Sequence, residues 1–164
     1  MTAGAAGAGG ELCGGCRDRG SCRMGVRSWD ADPAAGTVLC RVVCSASDRA
    51  GPAIAHGGWT AGVFDDVLGR LPRAMGESAV TGSLQVRYVA PVPVERELLL
   101  SGWLVERERR RRTVSGELRL ASTGALLASA SAVMVVVDAG HAERHVAWLA
   151  EQDGSPCSAR EEQQ

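Results

Sequence analysis

The segment 56–65, with the sequence HGGWTAGVFD, combines a glycine pair at the start of a predicted helix with a carboxylate two turns further along. The start of a helix presents backbone N–H groups without partners and a partial positive charge, and both favour an anion. At 1.5 Å per residue, Asp65 lies about 10 Å along the helix from Gly58, so the two cannot meet within one chain. If they act on one substrate, they do so across a dimer. An enzyme with shared sites is therefore the first hypothesis.

Composition limits the classes of protein to consider. The 164 residues are 45% hydrophobic and 23% charged with a net charge of −1, which indicates one soluble globular domain and gives no sign of nucleic-acid binding. The chain has no lysine, so a phosphate group would have to meet arginine or backbone amides. No apolar run reaches the roughly 18 residues that span a bilayer, and residues 1–10 do not form a convincing signal peptide. A cytoplasmic protein whose cysteines are thiols or metal ligands is expected.

The apolar pattern predicts one long helix, at 58–71 and ending near Pro72, within a set of five strands. The strands are expected at 37–44, 79–90, 98–105, 111–120 and 126–137, and a short amphipathic helix at 142–150 follows them. The last four strands are expected to form an antiparallel meander, and the strand at 98–105 to be central because it is apolar on both faces. One helix cannot cover both faces of such a sheet, so association with another copy is expected.

Composition also suggests boundaries along the chain. We expect a flexible leader at 1–10, a cysteine-containing N-terminal cap at 11–36, the α+β domain with its C-terminal helix at 37–150, and a disordered polar tail at 151–164.

Two motifs carry a family resemblance. The first is His56-Gly57-Gly58 with Asp65 seven positions after the second glycine, and the second is the strand T-x-x-L-x-V-x-Y-x-x-P-x-P at 81–93. With the closing arginine-rich turn and apolar strand, the stretch from about 55 to 137 resembles the hotdog-fold acyl-CoA thioesterases of the phenylacetate-type, PaaI-like branch. The resemblance implies one long central helix wrapped by a five- to six-stranded antiparallel sheet, with dimers or tetramers that hydrolyse acyl-CoA and need no cofactor or metal.

The resemblance also implies roles for particular residues. Asp65 matches the catalytic carboxylate as general base or nucleophile, His56 and Gly58 frame the thioester carbonyl, and Thr81 assists. The positions implied to bind the CoA substrate are Gly57, Arg87, Val89, Arg110, Arg111 and Arg112. The chemistry is reasonable, because one oxyanion-hole N–H such as that of Gly58 contributes about 2.7–4 kcal/mol. A positioned base adds about 10²–10⁴-fold in rate.

The neighbouring Asp66 is the alternative catalytic carboxylate. Arg70 lies four residues after it, in the order that favours an exposed ion pair on a helix. Asp65 has no such partner and shares its predicted face with apolar residues, where a carboxylate is costly unless it is used. Asp65 is therefore the predicted catalytic residue.

The turn at 106–112 contains five arginines. Arginine forks match phosphate geometry, so this turn could clamp the phosphates of CoA. A solvated hairpin whose charge discourages edge pairing explains the same residues. The sequence leaves both interpretations open.

Cys13, Cys16 and Cys22 form a cluster with the spacing C-x-x-C-x₅-C. Structural zinc needs four ligands, and the fourth would have to come from His141, His145, Cys40 or Cys44. Small apolar residues in an N-terminal cap explain the cluster more simply, and no metal is predicted.

Two alternatives to hydrolysis remain. A hotdog protein could bind acyl-CoA without turnover, as a sensor. A hotdog hydratase usually pairs an Asp with a His five residues later, but position 70 is arginine. The acyl specificity is not readable, since Trp59, Phe64 and Trp103 could line an acyl tunnel or lie in the core.

Overall fold

The computed structural model describes residues 14–154, which form eight strands. In chain order the strands are β1 (Val26–Asp32), β2 (Thr37–Val43), β3 (Arg49–Gly51), β4 (Ile54–Ala55), β5 (Ala79–Tyr88), β6 (Glu97–Glu108), β7 (Arg111–Leu120) and β8 (Leu126–Val136). Six of them make one antiparallel sheet in the order β1-β2-β6-β7-β8-β5, and β3 pairs with β4. Strands β1 and β5 are thus the two edges of the main sheet.

Four α-helices and one short 3₁₀ helix (Ala46–Asp48) accompany the strands within residues 14–154. The α-helices are α1 (Gly14–Arg17), α2 (Gly57–Leu68), α3 (Arg70–Ala74) and α4 (His141–Gly154). The central helix α2 packs against five strands of the sheet, β2, β5, β6, β7 and β8. Its buried residues are Trp59, Thr60, Val63, Phe64, Val67 and Leu68. One helix enclosed by a six-stranded antiparallel sheet confirms the predicted α+β hotdog fold.

Two glycines set how closely the end of α2 approaches the sheet. Gly102 of β6 and Gly116 of β7 are paired across the ladder. A Cβ atom at Gly102 would lie 2.8 Å from Leu68 Cδ2, and one at Gly116 would lie 3.0 Å from the same atom. Leu68 is fully buried, so the missing side chains make the space that it occupies.

The predicted strands and the central position of β6 are confirmed, but three details differ. Strand β1 was missed because its sequence, VRSWDAD, mixes charged and apolar residues on a half-exposed edge. Helix α2 ends at Leu68, and Pro72 lies inside the short helix α3 instead of ending a helix. Proline is tolerated in a first helical turn, where its missing N–H would have no partner.

The predicted meander is wrong at its first step. Strand β5 pairs with β8, while β6 pairs with β2 and β7. An alternating pattern specifies which residues form a strand but not its partner, so the edge position of β5 could not be read from it.

Some of the predicted segments reach or extend beyond the ends of residues 14–154. Helix α4 continues to Gly154, past the predicted end at 150. The leader at 1–10, Cys13 and the tail from 155 lie outside the described residues. Between residues 14 and 154, no helix is long and apolar enough to cross a membrane.

The close packing at Gly102 leads to a stability prediction. Gly102→Ala places a methyl group against Leu68 and Val38, and overpacking of this kind costs about 1–3 kcal/mol. Urea unfolding should show that loss in the free energy of unfolding. Gly51→Ala is the matched control, because a Cβ atom there meets nothing within 4 Å; an equal loss in both variants would contradict the packing argument.

Candidate active site

Asp65 and Thr81 meet where α2 lies beside the edge strand β5. The Thr81 hydroxyl donates a hydrogen bond to Asp65 Oδ1, with 2.6 Å between the oxygens. The two side chains, both exposed, line a cavity of about 450 Å³, the Asp65 cleft. The other residues around it are Trp29, Asp66, Gly69, Arg70, Arg73, Ala79 and Val80. The fold thus brings together two residues that lie 16 positions apart in the chain.

The adjacent Asp66 is held by its own partner. Arg70 donates two hydrogen bonds to Asp66 Oδ2, from Nε at 3.1 Å and Nη2 at 2.6 Å. The Arg70 guanidinium also lies over the Trp29 ring, 5.4 Å from its centroid. The predicted ion pair is therefore confirmed, and Asp66 has a structural partner.

Asp65 does not lie on the apolar side of α2, contrary to the prediction from the sequence. Phe64 and Leu68 are fully buried in the core, whereas Asp65 is exposed on another side of α2. Its carboxylate is therefore not desolvated by its own chain. What distinguishes Asp65 from Asp66 is its hydrogen bond to a hydroxyl in place of an ion pair.

His56 caps the N-terminus of α2. His56 is the N-cap residue, and its Nδ1 accepts the N–H of Gly58 at 2.9 Å. The Gly58 amide is therefore already engaged, contrary to the expectation of a free donor for the substrate. Since Nδ1 accepts a hydrogen bond, a neutral imidazole carries its proton on Nε2. The Nε2–H group can then donate to another group at this helix start.

Tyr88 is a site residue that the sequence reasoning did not single out. Its hydroxyl donates to the Gly57 carbonyl at 2.9 Å. Strand β5 therefore contacts both ends of α2, through Thr81 at Asp65 and through Tyr88 at Gly57. The tyrosine was visible in the strand motif, but nothing in the sequence linked it to the glycine pair.

A single copy does not bring the two halves of the predicted site together. The Asp65 cleft includes neither His56 nor the glycine pair. Arg87 and Val89 are exposed on or just after β5, beside further exposed apolar residues. Val80 is 40% exposed, Tyr88 54% and Val89 50%.

Within the arginine-rich turn, Arg112 bonds to other groups of the protein. This side chain is 4% exposed, and it donates to both Glu77 carboxylate oxygens at 2.8 and 2.6 Å. It also donates to the carbonyls of Arg109 and Arg111. These internal partners occupy Arg112, and they argue against its predicted contact with a substrate phosphate. Of its predicted companions, Arg110 donates to the Val136 carbonyl, and Arg111 is exposed.

The described cysteines lie apart from this chemistry. Burial raises the pKa of the Cys40 and Cys44 thiols to about 12, which disfavours the thiolate that a metal needs. Cys16 is buried, and its sulfur accepts the Arg23 N–H. Across residues 14–154, no three His, Cys, Asp or Glu side chains group as a metal site. His145 stacks on Trp148.

The three candidates for lining an acyl tunnel differ in their exposure to solvent. Trp59 and Phe64 are buried in the core around α2. Trp103 is 36% exposed.

Comparisons with known proteins point to one family. A family model described as the thioesterase superfamily matches residues 53–126. No curated protein matches the chain. A crystallised thioesterase superfamily protein is 31% identical, over 61% of this chain and 49% of its own, with a TM-score of 0.57. This chain thus spans about half the length of that protein.

In two further solved structures, the match with this chain covers more of the other protein's length. The phenylacetic acid degradation-related protein of Ralstonia eutropha JMP134 is 27% identical over 66% of this chain and 81% of its own, with a TM-score of 0.60. The hypothetical thioesterase of Streptococcus pneumoniae TIGR4, solved with coenzyme A, is 18% identical. The match covers 69% of this chain and 88% of that protein, with a TM-score of 0.62. It has also been crystallised with an aspartate replaced by alanine and, separately, with a threonine sixteen positions later replaced by alanine.

Over residues 53–126 the chain is similar to the thioesterase superfamily, and its architecture agrees with the hotdog fold that the resemblance implied. The resemblance predicted from the sequence is thereby confirmed.

The contact between His56 and Gly58 can be tested with a matched pair of glycines. A Cβ atom at Gly58 would lie 2.9 Å from His56 Nδ1, whereas one at Gly57 has no neighbour closer than 3.5 Å. Gly58→Ala should therefore displace the imidazole and lose the N-cap bond, at about 0.5–2 kcal/mol. Gly57→Ala should be neutral or stabilise by up to about 1 kcal/mol. Urea unfolding and the imidazole ¹⁵N shifts of His56 measure both effects; equal behaviour of the two variants would contradict the contact.

The buried Glu77–Arg112 pair predicts a pH-dependent stability. The hydrogen bonds and charge of Arg112 lower the pKa of Glu77. The resulting stabilisation is present above the unfolded carboxyl pKa, about 4.3, and is lost as the pH falls through the lower folded pKa. Arg112→Ala should reduce the free energy of unfolding by about 1.5–3 kcal/mol at pH 7, the range for hydrogen bonds to charged groups, because Glu77 keeps Arg107 as a partner.

The difference from the unmodified protein should shrink as the pH falls below about 4.3. It should vanish only below the lowered pKa of the folded state, where Glu77 is protonated in both states. Arg111→Ala is the control, because this side chain is exposed. Denaturant unfolding across pH 3–7 makes the comparison, and a loss that persists unchanged at low pH would contradict the ion-pair explanation.

Proposed function

We propose that this protein hydrolyses acyl-CoA thioesters to a free acid and CoA, at two sites shared between two copies of the chain. The observation that carries the proposal is the 2.6 Å hydrogen bond from Thr81 to Asp65 in an open cleft. It leaves a carboxylate exposed, oriented and without an ion-pair partner in the described part of the chain, as a catalytic base or nucleophile requires.

Asp65 acts on the thioester carbonyl carbon, either directly or through a water molecule. In the water-mediated route the carboxylate accepts a proton from the attacking water. The carbonyl oxygen then carries negative charge until the C–S bond breaks. The thiolate of CoA leaves with the bonding electrons, so a strong general acid is not needed. Thr81 holds one carboxylate oxygen and leaves Oδ2 to face the substrate.

The start of α2 stabilises the negative charge on the carbonyl oxygen. Because Gly58 N–H holds His56 Nδ1, the imidazole presents Nε2–H as a donor beside the positive end of the helix. We therefore assign carbonyl polarisation to His56 and the helix start together, with the Gly58 amide fixing the ring. Gly57, held by Tyr88, keeps the same helix end in place.

Two copies are needed because one chain separates these groups. Strand β5 is an unpaired edge that carries Thr81 near one end and Tyr88 near the other. Antiparallel pairing of two β5 strands about an axis between Leu84 and Gln85 would place Thr81 of one copy opposite Tyr88 of the other. Each Asp65 would then approach the His56 of the second copy. The exposed apolar residues on this edge support such pairing.

The known structures support the choice of substrate and residues. The Streptococcus pneumoniae protein was solved with coenzyme A, and its altered aspartate and threonine have the same separation as Asp65 and Thr81. Arg87, Val89, Arg110 and Arg111 remain candidates for contacts with CoA. A hydratase is disfavoured, because position 70 holds an arginine that is paired with Asp66.

The direct test is the release of free CoA from a panel of short, medium, long and aryl acyl-CoAs. Asp65→Asn should lower kcat by at least about 100-fold, since a positioned carboxylate contributes roughly 10²–10⁴-fold. Asp66→Asn, the matched neighbour, should keep most of the activity. Turnover that survives in Asp65→Asn would refute the assignment. Saturable binding of acyl-CoA without any turnover would favour the sensor function.

Subunit complementation tests whether the site is shared. Asp65→Asn and His56→Ala should each be inactive, and the two should be mixed in equal amounts after reversible dissociation. Half of the dimers would then be mixed, each with one intact site, so about a quarter of the unmodified activity should return. A site contained in one chain would give no recovery.

A further inference from the structure

A second cavity, of about 860 Å³, lies between the N-terminal segment and the edge of the main sheet. We call it the N-terminal cavity; its lining includes α1–β1 connecting residues, β1 and part of β2. The arginines around it are Arg17, Arg19, Arg23, Arg27 and Arg70, and the one carboxylate among its described lining residues is Asp48. Nothing in the catalytic proposal uses this cavity.

Its positive charge is largely uncompensated. Arg70 is neutralised by Asp66, but Arg17, Arg19, Arg23 and Arg27 form none of the ion pairs found within residues 14–154. The whole chain has a net charge of −1, so this is a local concentration of cations. A concave surface of one sign focuses the field on a ligand of the opposite charge. A guanidinium group can donate two parallel hydrogen bonds to the oxygens of a phosphate. Ser21 and Ser28 add hydroxyl groups to the lining.

The N-terminal cavity adjoins the Asp65 cleft. Trp29 and Arg70 line both spaces, and the Arg70 guanidinium lies over the Trp29 ring, 5.4 Å from its centroid. A ligand that extends past these two residues would place an anionic end among the arginines and an uncharged end beside Asp65. Acyl-CoA has this distribution, because its phosphates lie on the nucleotide and a long uncharged arm leads to the thioester.

We propose that the N-terminal cavity binds the phosphate groups of the substrate's nucleotide end, an inference that rests on the proposed acyl-CoA hydrolysis. The residues that carry it are Arg17, Arg19, Arg23 and Arg27. These lie on α1, the following connection and β1, far in sequence from the arginine-rich turn. The N-terminal segment is thereby a part of the substrate site as well as of the sheet.

The test compares two double variants with equal changes in charge. Arg23→Gln/Arg27→Gln alters the cavity, and Arg96→Gln/Arg144→Gln removes two exposed arginines that do not line it. Calorimetry at low salt measures the Kd for adenosine 3′,5′-bisphosphate, a phosphate-bearing fragment of CoA. Steady-state kinetics compares KM for an acyl-CoA with KM for the corresponding phosphate-free acyl-N-acetylcysteamine thioester.

We expect the cavity variant to raise the Kd and the KM for acyl-CoA roughly 10-fold, from the loss of two charge-assisted contacts. KM for the phosphate-free thioester should stay unchanged in both variants. Equal increases in the two double variants would reveal a general charge effect and overturn the proposal. Unchanged values in the cavity variant would overturn it as well.

Two further outcomes distinguish a wrong assignment of the cavity's ligand from a failure of the proposed hydrolysis. If CoA fails to displace the bisphosphate from the unmodified protein, the cavity holds a free nucleotide and the assignment to the substrate is wrong. If CoA displaces it and the cavity variant binds neither, but no thioester is hydrolysed, the binding site is supported while the proposed reaction fails.

Discussion

Burial of α2 against five strands positions both the core and the candidate site. Phe64 and Leu68 are fully buried, and each buried side chain of this size contributes about 1.5–3 kcal/mol. The close approach at Gly102 and Gly116 settles the depth of the helix. Once the apolar side of α2 is committed to the core, its polar groups can lie only at its start and along its exposed side. The position of Asp65 therefore follows from the packing of its buried neighbours.

In the proposed dimer, strand β5 is the element that connects the two parts of the site. It is an edge of the sheet, and it contacts α2 twice, through Thr81 at Asp65 and through Tyr88 at Gly57. The helix start and the carboxylate lie too far apart for one substrate atom to meet both within a chain. An edge strand that carries contacts to both ends is the element through which a second copy could bring them together. In that proposal, catalytic geometry and association depend on the same strand.

The arginines divide into two groups with different physical roles. At the β6–β7 turn, Arg112 is buried and satisfied by Glu77 and two carbonyls, so it connects the hairpin to the segment before β5. Around the N-terminal cavity, four arginines have no carboxylate partner within residues 14–154. Local density of arginine in the sequence pointed to the first group. Freedom from carboxylate partners, which only coordinates reveal, points to the second.

Local periodicity and short spacings predicted a central helix, at 58–71 where the structure has 57–68, together with most strands and the pairing of Asp66 with Arg70. The family motifs also contained both members of the Asp65–Thr81 pair. Coordinates were needed to show that β5 lies beside β8, that His56 occupies the Gly58 amide, and that Arg112 is buried. These facts depend on contacts between residues distant in the chain, or on side-chain geometry, and neither leaves a periodic signal in the sequence.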